Sequence, residues 1–208
     1  MSTTIPAAGV TGGLSLPVVC RRFWWPVYGA CRDAGLTPAA SAVRTRQVLD
    51  RLTRGSPFLR HEDHDGRLRL LIRAELEAVG SQGTPEPQFP APSDGLDLDR
   101  AEARDTYGIG MPAEWRFRER WALVVMELAL EALCERAAAD DRLAQVRRLV
   151  PFLERDVPDW RQTDIGEAVD SVEVSNLRDA YRTEVRRVVG TTVTTPMALE
   201  AELVELFG

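Results

Sequence analysis

The chain has 208 residues, 44% of them hydrophobic and 28% charged, which is enough for one medium domain or two small ones. A formal net charge of -6 excludes a general attraction to nucleic acid or to an anionic membrane surface. All 26 basic residues are arginine, so every positive site can make planar, bidentate contacts. Cys20, Cys31 and Cys134 are odd in number and lack metal or disulfide spacing, and they are expected as buried thiols in a reducing, cytoplasmic setting. No stretch approaches the roughly 20 apolar residues of a membrane span.

Residues 1–14, rich in Thr, Gly, Ala and Pro, lack the basic start and apolar run of a signal peptide and are expected as a flexible tail. Residues 15–80 follow a helical pattern. Val19, Phe23, Trp24, Val27 and Tyr28 recur at three- and four-residue spacing, and Gly35 with Thr37-Pro38 ends one helix and starts the next. Val48, Leu49 and Leu52 carry that helix to a break at Ser56-Pro57. After an acidic turn from Asp63 to Gly66, Leu68, Leu71, Ile72 and Leu76 mark a third. Residues 81–110 are expected as a linker, because Pro85, Pro87, Pro90 and Pro92 hold the backbone extended.

A second helical block spans 111–208. It opens at Met111-Pro112 and runs through Trp115, Trp121, Val125 and Leu128, and a following helix presents Leu143, Val146, Val150 and Leu153. The segment from Ile165 to Arg178 has the spacing of a helix-turn-helix recognition helix, with Val169, Val172, Val174, Leu177 and Tyr181 as its expected buried face. Its free face carries Glu167, Asp170 and Glu173 with no basic residue before Arg178, which suits neither phosphates nor base edges. A closing helix begins at Thr195-Pro196, and Leu199, Leu203, Leu206 and Phe207 are expected to cover the back of the helix-turn-helix.

Little points to catalysis. His61-Glu62-Asp63-His64-Asp65 is expected as a solvated turn and not a metal site, since only His61 and Asp65 have helical ligand spacing. Gly108-Ile109-Gly110 lacks a preceding strand and a third glycine. No nucleophile and base can be paired, so neither an enzyme, a metal nor a cofactor is expected. Arg118, Arg120, Arg147 and Arg148 are expected on solvated helix faces. Trp24 and Trp25 point about 100° apart on a helix, and Trp25 is the candidate interface anchor.

Ordered segments resemble one family. Cys20-Arg21-Arg22-Phe23-Trp24-Trp25-Pro26-Val27-Tyr28, Gly35-Leu36-Thr37-Pro38, Gly66-Arg67-Leu68-Arg69, Glu114 through Leu123, and the run from Tyr181 through Thr192-Val193 and Pro196 to Glu202-Leu203 and Leu206-Phe207 are similar to the extracytoplasmic-function (ECF) class of sigma-70 family RNA polymerase sigma factors. The resemblance implies an all-α protein of two small helical domains, one like sigma region 2 and one a region 4-like helix-turn-helix, joined by the proline-rich linker. It implies polymerase core binding by the first domain and promoter reading by the second.

Three segments depart from that family. Ala39 to Gln47 replaces an acidic patch and a docking glutamine. The helix through Leu76 stops at Val79-Gly80, where the family continues with a basic strand-capturing helix. Ser171, Glu173, Ser175, Asn176, Asp179 and Ala180 stand where the recognition helix is basic, and Arg178 and Arg182 alone keep charge. The expected function is thus that of an ECF-type sigma-like protein in transcription initiation or its regulation, binding polymerase core with promoter reading weakened or lost. The alternative is a repurposed protein-interaction subunit of a regulatory or CRISPR/defence-linked complex, with an anti-activator that docks polymerase without reading promoters as an intermediate; the expected partners are the polymerase core or a different protein complex, and an anti-sigma-like regulator is a further candidate partner. Ser171, Ser175, Asn176, Arg178 and Arg182 are the recognition-helix positions, and Trp25, Arg44, Arg46 and Gln47 the partner- or polymerase-facing candidates. A membrane partner is not expected.

Overall fold

The computed structural model describes residues 16–55, 64–80, 97–104, 110–153 and 171–208. Of these, 84% are helical and none lies in a strand. The nine helices among them are α1 (Leu16–Arg22), α2 (Trp24–Asp33), α3 (Pro38–Gly55), α4 (Leu68–Gly80), α5 (Leu98–Arg104), α6 (Ala113–Ala139), α7 (Leu143–Leu149), α8 (Ser171–Gly190) and α9 (Pro196–Phe207). The expected tail, the proline-rich stretch 85–92 and residues 154–170 lie outside the described residues. None of these helices is long and apolar enough to cross a membrane.

The chain divides into two compact units. Unit 1 combines Met1–Val124 with Val189–Gly208, and unit 2 is Val125–Val188. These bounds differ from the expected 15–80 and 111–208: the first half of α6 and all of α9 belong with the N-terminal helices, and α5 forms inside the segment expected as linker.

In unit 1, α2 packs against α3, α4 and α5, and α3 also packs against α1 and α4. Ser41, Thr45, Val48 and Leu52 make the inner stripe of α3, all fully buried and spaced at four, three and four residues. The two hydroxyls on that stripe do not need partners from other helices. Thr45 Oγ1 donates to the Ser41 carbonyl at 2.8 Å, a bond available inside the helix itself. Phe23, Val27, Tyr28, Leu68 and Ile72 are likewise buried, and Trp121 of α6 stacks on Phe23 with ring centroids 4.2 Å apart. Together these rings and branched chains form the core of unit 1.

Unit 2 is built on Leu133, Ala137, Val146, Leu149, Phe152 and Leu177, with Val174, Ala180 and Tyr181 packed against them. The buried face of α8 therefore runs Val174, Leu177, Tyr181. Val172, expected on it, is 60% exposed because two residues turn a helix by about 200° and place it opposite Val174. Val169 lies outside the described residues.

Candidate functional site

The densest polar arrangement joins two segments far apart in the chain. Asp65 and Gly66 both adopt positive φ (50° and 68°) and turn the backbone into Arg67. Residues 66–68 then pair with 192–194: Leu68 N–H donates to the Thr192 carbonyl at 2.9 Å, Thr194 N–H donates to the Gly66 carbonyl at 3.0 Å, and Arg67 and Val193 form an isolated antiparallel bridge. Glycine is required at 66 twice over, by its φ and because a Cβ there would strike Thr194 Oγ1.

This bridge delivers α9. Thr195 caps it by accepting from Ala198 N–H at 3.1 Å, with Pro196 in the first turn. Glu202 falls on the same face as Ala198, Leu199 and Leu206 and is 1% exposed. Arg69 of α4, itself 3% exposed, donates from Nε to Glu202 Oε1 at 2.7 Å and from Nη2 to Oε2 at 3.1 Å. Glu205 completes a square of charges, meeting Arg67 Nη1 and Arg69 Nη2 at 2.6 Å each. Burial raises the Glu205 carboxyl, but the hydrogen bonds and charge of Arg69 and Arg67 outweigh it and hold the group below its ordinary value of 4.5.

Two further clamps hold unit 1. Asp33 at the end of α2 accepts from Arg120 Nη1 at 2.7 Å and Nη2 at 3.2 Å and pairs with Arg116 at 2.9 Å. Arg120 is thus buried at 3% exposure and not on the solvated face expected for it; the side chain crosses Gly29, where any Cβ would collide with it. Glu102 of α5 accepts from Tyr28 Oη at 2.5 Å and Arg32 Nε at 2.8 Å. Partial burial raises its carboxyl, and Tyr28 and Arg32 more than reverse that and lower it.

The partner-facing candidates scatter. Trp25 is 4% exposed, covered by the Arg104 guanidinium 3.9 Å above its ring, so it is not a surface anchor of this chain. Both adjacent tryptophans find cover because α2 is packed on more than one side; Trp24, half-buried, meets the edge of Tyr28. Arg44 is buried at 5% exposure, Arg46 half-buried and Gln47 exposed. Burial pushes the Cys20 and Cys31 thiols up to about 11, so neither is a thiolate at neutral pH.

In unit 2 the recognition-helix positions all lie on α8, which is continuous through Gly190. Ser171, Ser175 and Asn176 are exposed. Arg178 turns inward and donates from Nε and Nη2 to the Phe152 carbonyl at 3.3 and 3.0 Å, closing the end of a 3-10 turn. Arg182 pairs along the helix with Asp179 at 2.9 Å. Glu173 accepts from Gln145 at 2.9 Å and lies 3.4 Å from Arg148. Further along, Glu184 is fully buried between Arg136 at 2.5 Å and Arg187 at 2.8 Å.

Between α6, α7 and α8 of unit 2 runs a groove of about 330 Å³. Leu133, Ala137, Val146, Leu149, Leu177 and Ala180 form its walls, and Arg136, Arg142, Gln145, Glu173 and Asn176 its rim. Glu202, Glu184 and Asp33, around which the charge clusters are built, escaped sequence reasoning. The available signal was a carboxylate in phase with an apolar helix face, which demands an arginine from elsewhere.

Comparison of the chain with protein-family models, with curated proteins and with solved structures gave no match.

Proposed function

We propose that the chain is an ECF-class sigma-like protein that acts in transcription initiation or its regulation by binding the RNA polymerase core, with promoter reading weakened or lost. The observation that carries this reading is the pairing of two resembling segments. Gly66-Arg67-Leu68-Arg69 and the terminal run through Glu202-Leu203 each resemble the family, and here Arg67 and Arg69 of one hold Glu202 and Glu205 of the other. That two segments resembling the family at separate places in the chain meet in one buried charge cluster supports a sigma-like organisation.

Loss of promoter reading rests on α8. Arg178 is engaged with a backbone carbonyl and Arg182 with Asp179, so the two charges left on the recognition positions are occupied within the chain. A second reading, that of a protein-interaction subunit in another complex, is favoured by the burial of Trp25 and Arg44, which leaves Gln47 and half-buried Arg46 from the polymerase-facing set.

Affinity purification of the full chain from its native host separates the two. Core polymerase subunits in near-stoichiometric amount are expected. Their absence beside a different, reproducible set of proteins would reject the first reading in favour of the second.

A further inference from the structure

We infer that α1 and α3 present a docking surface for an acidic protein segment, one that carries carboxylates beside apolar side chains. Charge is unevenly placed in this chain. From Leu16 to Gly55 there are seven arginines against two acids, Asp33 and Asp50, in a molecule whose formal net charge is -6. Many arginines of unit 1 are matched to carboxylates within the chain: Arg32 to Glu102, Arg51 to Glu75, Arg69 to Glu202 and Arg120 to Asp33. Three on α1 and α3 are not. No described residue makes a hydrogen bond or ion pair with the side chain of Arg21, Arg22 or Arg46.

The two helices pack on each other and offer the same combination. On α1, Val19 and Cys20 are buried, while Val18, Arg21 and Arg22, three and four residues apart, share the exposed face. On α3, Arg46 turns away from the stripe that ends at Leu52, with half-buried Val43 one turn before it and exposed Asp50 one turn after. Each helix thus sets an apolar side chain beside an unmatched guanidinium. Such a surface is complementary to carboxylates flanked by apolar groups. Nucleic acid fits it less well: a duplex carries a charge about every 1.7 Å and extends beyond any local patch, so its phosphates would also meet Asp50 and the acidic remainder of the chain. The chemistry of this face is the same whether or not the chain binds polymerase core, and its failure would leave that reading standing.

Fluorescence anisotropy of the full chain tests it with three labelled probes: an amphipathic peptide of about 20 residues with Glu and Leu at helical spacing, the same peptide with Lys for Glu, and duplex DNA. Binding of the Glu peptide alone is expected, weakening as salt shortens the screening length. Arg21→Glu, Arg22→Glu and Arg46→Glu together should weaken it about tenfold or more, with helical circular dichroism unchanged. Arg22→Glu alone should weaken it measurably, whereas Arg147→Glu, an equal change of charge at an exposed position of α7, should not. No binding of the Glu peptide, equal binding of the Lys peptide, or an equal loss from Arg147→Glu overturns the proposal. Tighter binding of the duplex than of the Glu peptide overturns it too, and would assign the face to nucleic acid.

Discussion

Arg69 and Glu202 form a nearly dry ion pair in unit 1. Each is nearly inaccessible to water, and each satisfies the other through two hydrogen bonds. Arg69→Ala leaves the buried Glu202 with Arg67 alone at 3.5 Å, and Glu202→Ala leaves Arg69 with Glu205 alone, so each should destabilise the chain by up to about 3–5 kcal/mol in denaturant titrations. Replacing both by apolar residues, Arg69→Met with Glu202→Leu, should cost far less; an equal loss would mean that the pair contributes through something other than its burial. At Gly66, alanine meets both an unfavourable φ and Thr194, and a clear loss of stability is expected there, against near neutrality for alanine at the open, helical Gly80. Acid acts on the carboxylates of lowered pKa. Glu205 and Glu102 ionise more readily in the folded chain than in the unfolded one, so their contribution is complete above about pH 4.5 and is lost as pH falls through the lower folded values. Glu205→Gln should flatten the acid limb of a stability-against-pH curve, and an unchanged limb would show that the carboxylate gains nothing from Arg67 and Arg69.

At the scale of elements, helical periodicity located most of the fold. The apolar phases of α2, α3 and α4 were legible because Val27, Val48, Leu52, Leu71 and Ile72 repeat at three and four residues, and Thr195-Pro196 announced α9 through cap and first-turn chemistry. Phase was legible only where one apolar set competes. On α8, two valines two residues apart offered rival faces, and the packed one is set by Leu177 and Tyr181 against α6 and the 3-10 turn. Leu177→Ala should cost about 2–5 kcal/mol, as deletion of a buried leucine side chain usually does, while Val172→Ala should stay within about 0.5 kcal/mol. Comparable losses at both positions would return Val172 to the buried face. α9 was expected to cover the back of the helix-turn-helix and instead belongs to unit 1. Its leucines ask only for a groove, and the choice of unit 1 comes from the arginines of residues 67–69 and the bridge at Val193, a tertiary pairing that no local pattern encodes.

For the whole molecule, the C-terminal segment belongs to the same compact unit as the first helices, and unit 2 is carried between them in sequence. On the function proposed above, the chain keeps the charge pairs that hold its helices together without the charges that would hold DNA. That contrast is the central claim, and α8 tests it. On α8, Arg178 is held inward by the Phe152 carbonyl and Arg182 is paired with Asp179, so neither arginine at the recognition positions is left to meet phosphates. The deciding measurement is fluorescence anisotropy of the full chain titrated against labelled promoter and random duplexes at moderate salt. No measurable binding is expected from the unaltered protein, with weak and strongly salt-dependent binding appearing once Glu173→Arg and Asp179→Arg are introduced. Tight, sequence-selective binding by the unaltered chain would contradict the account.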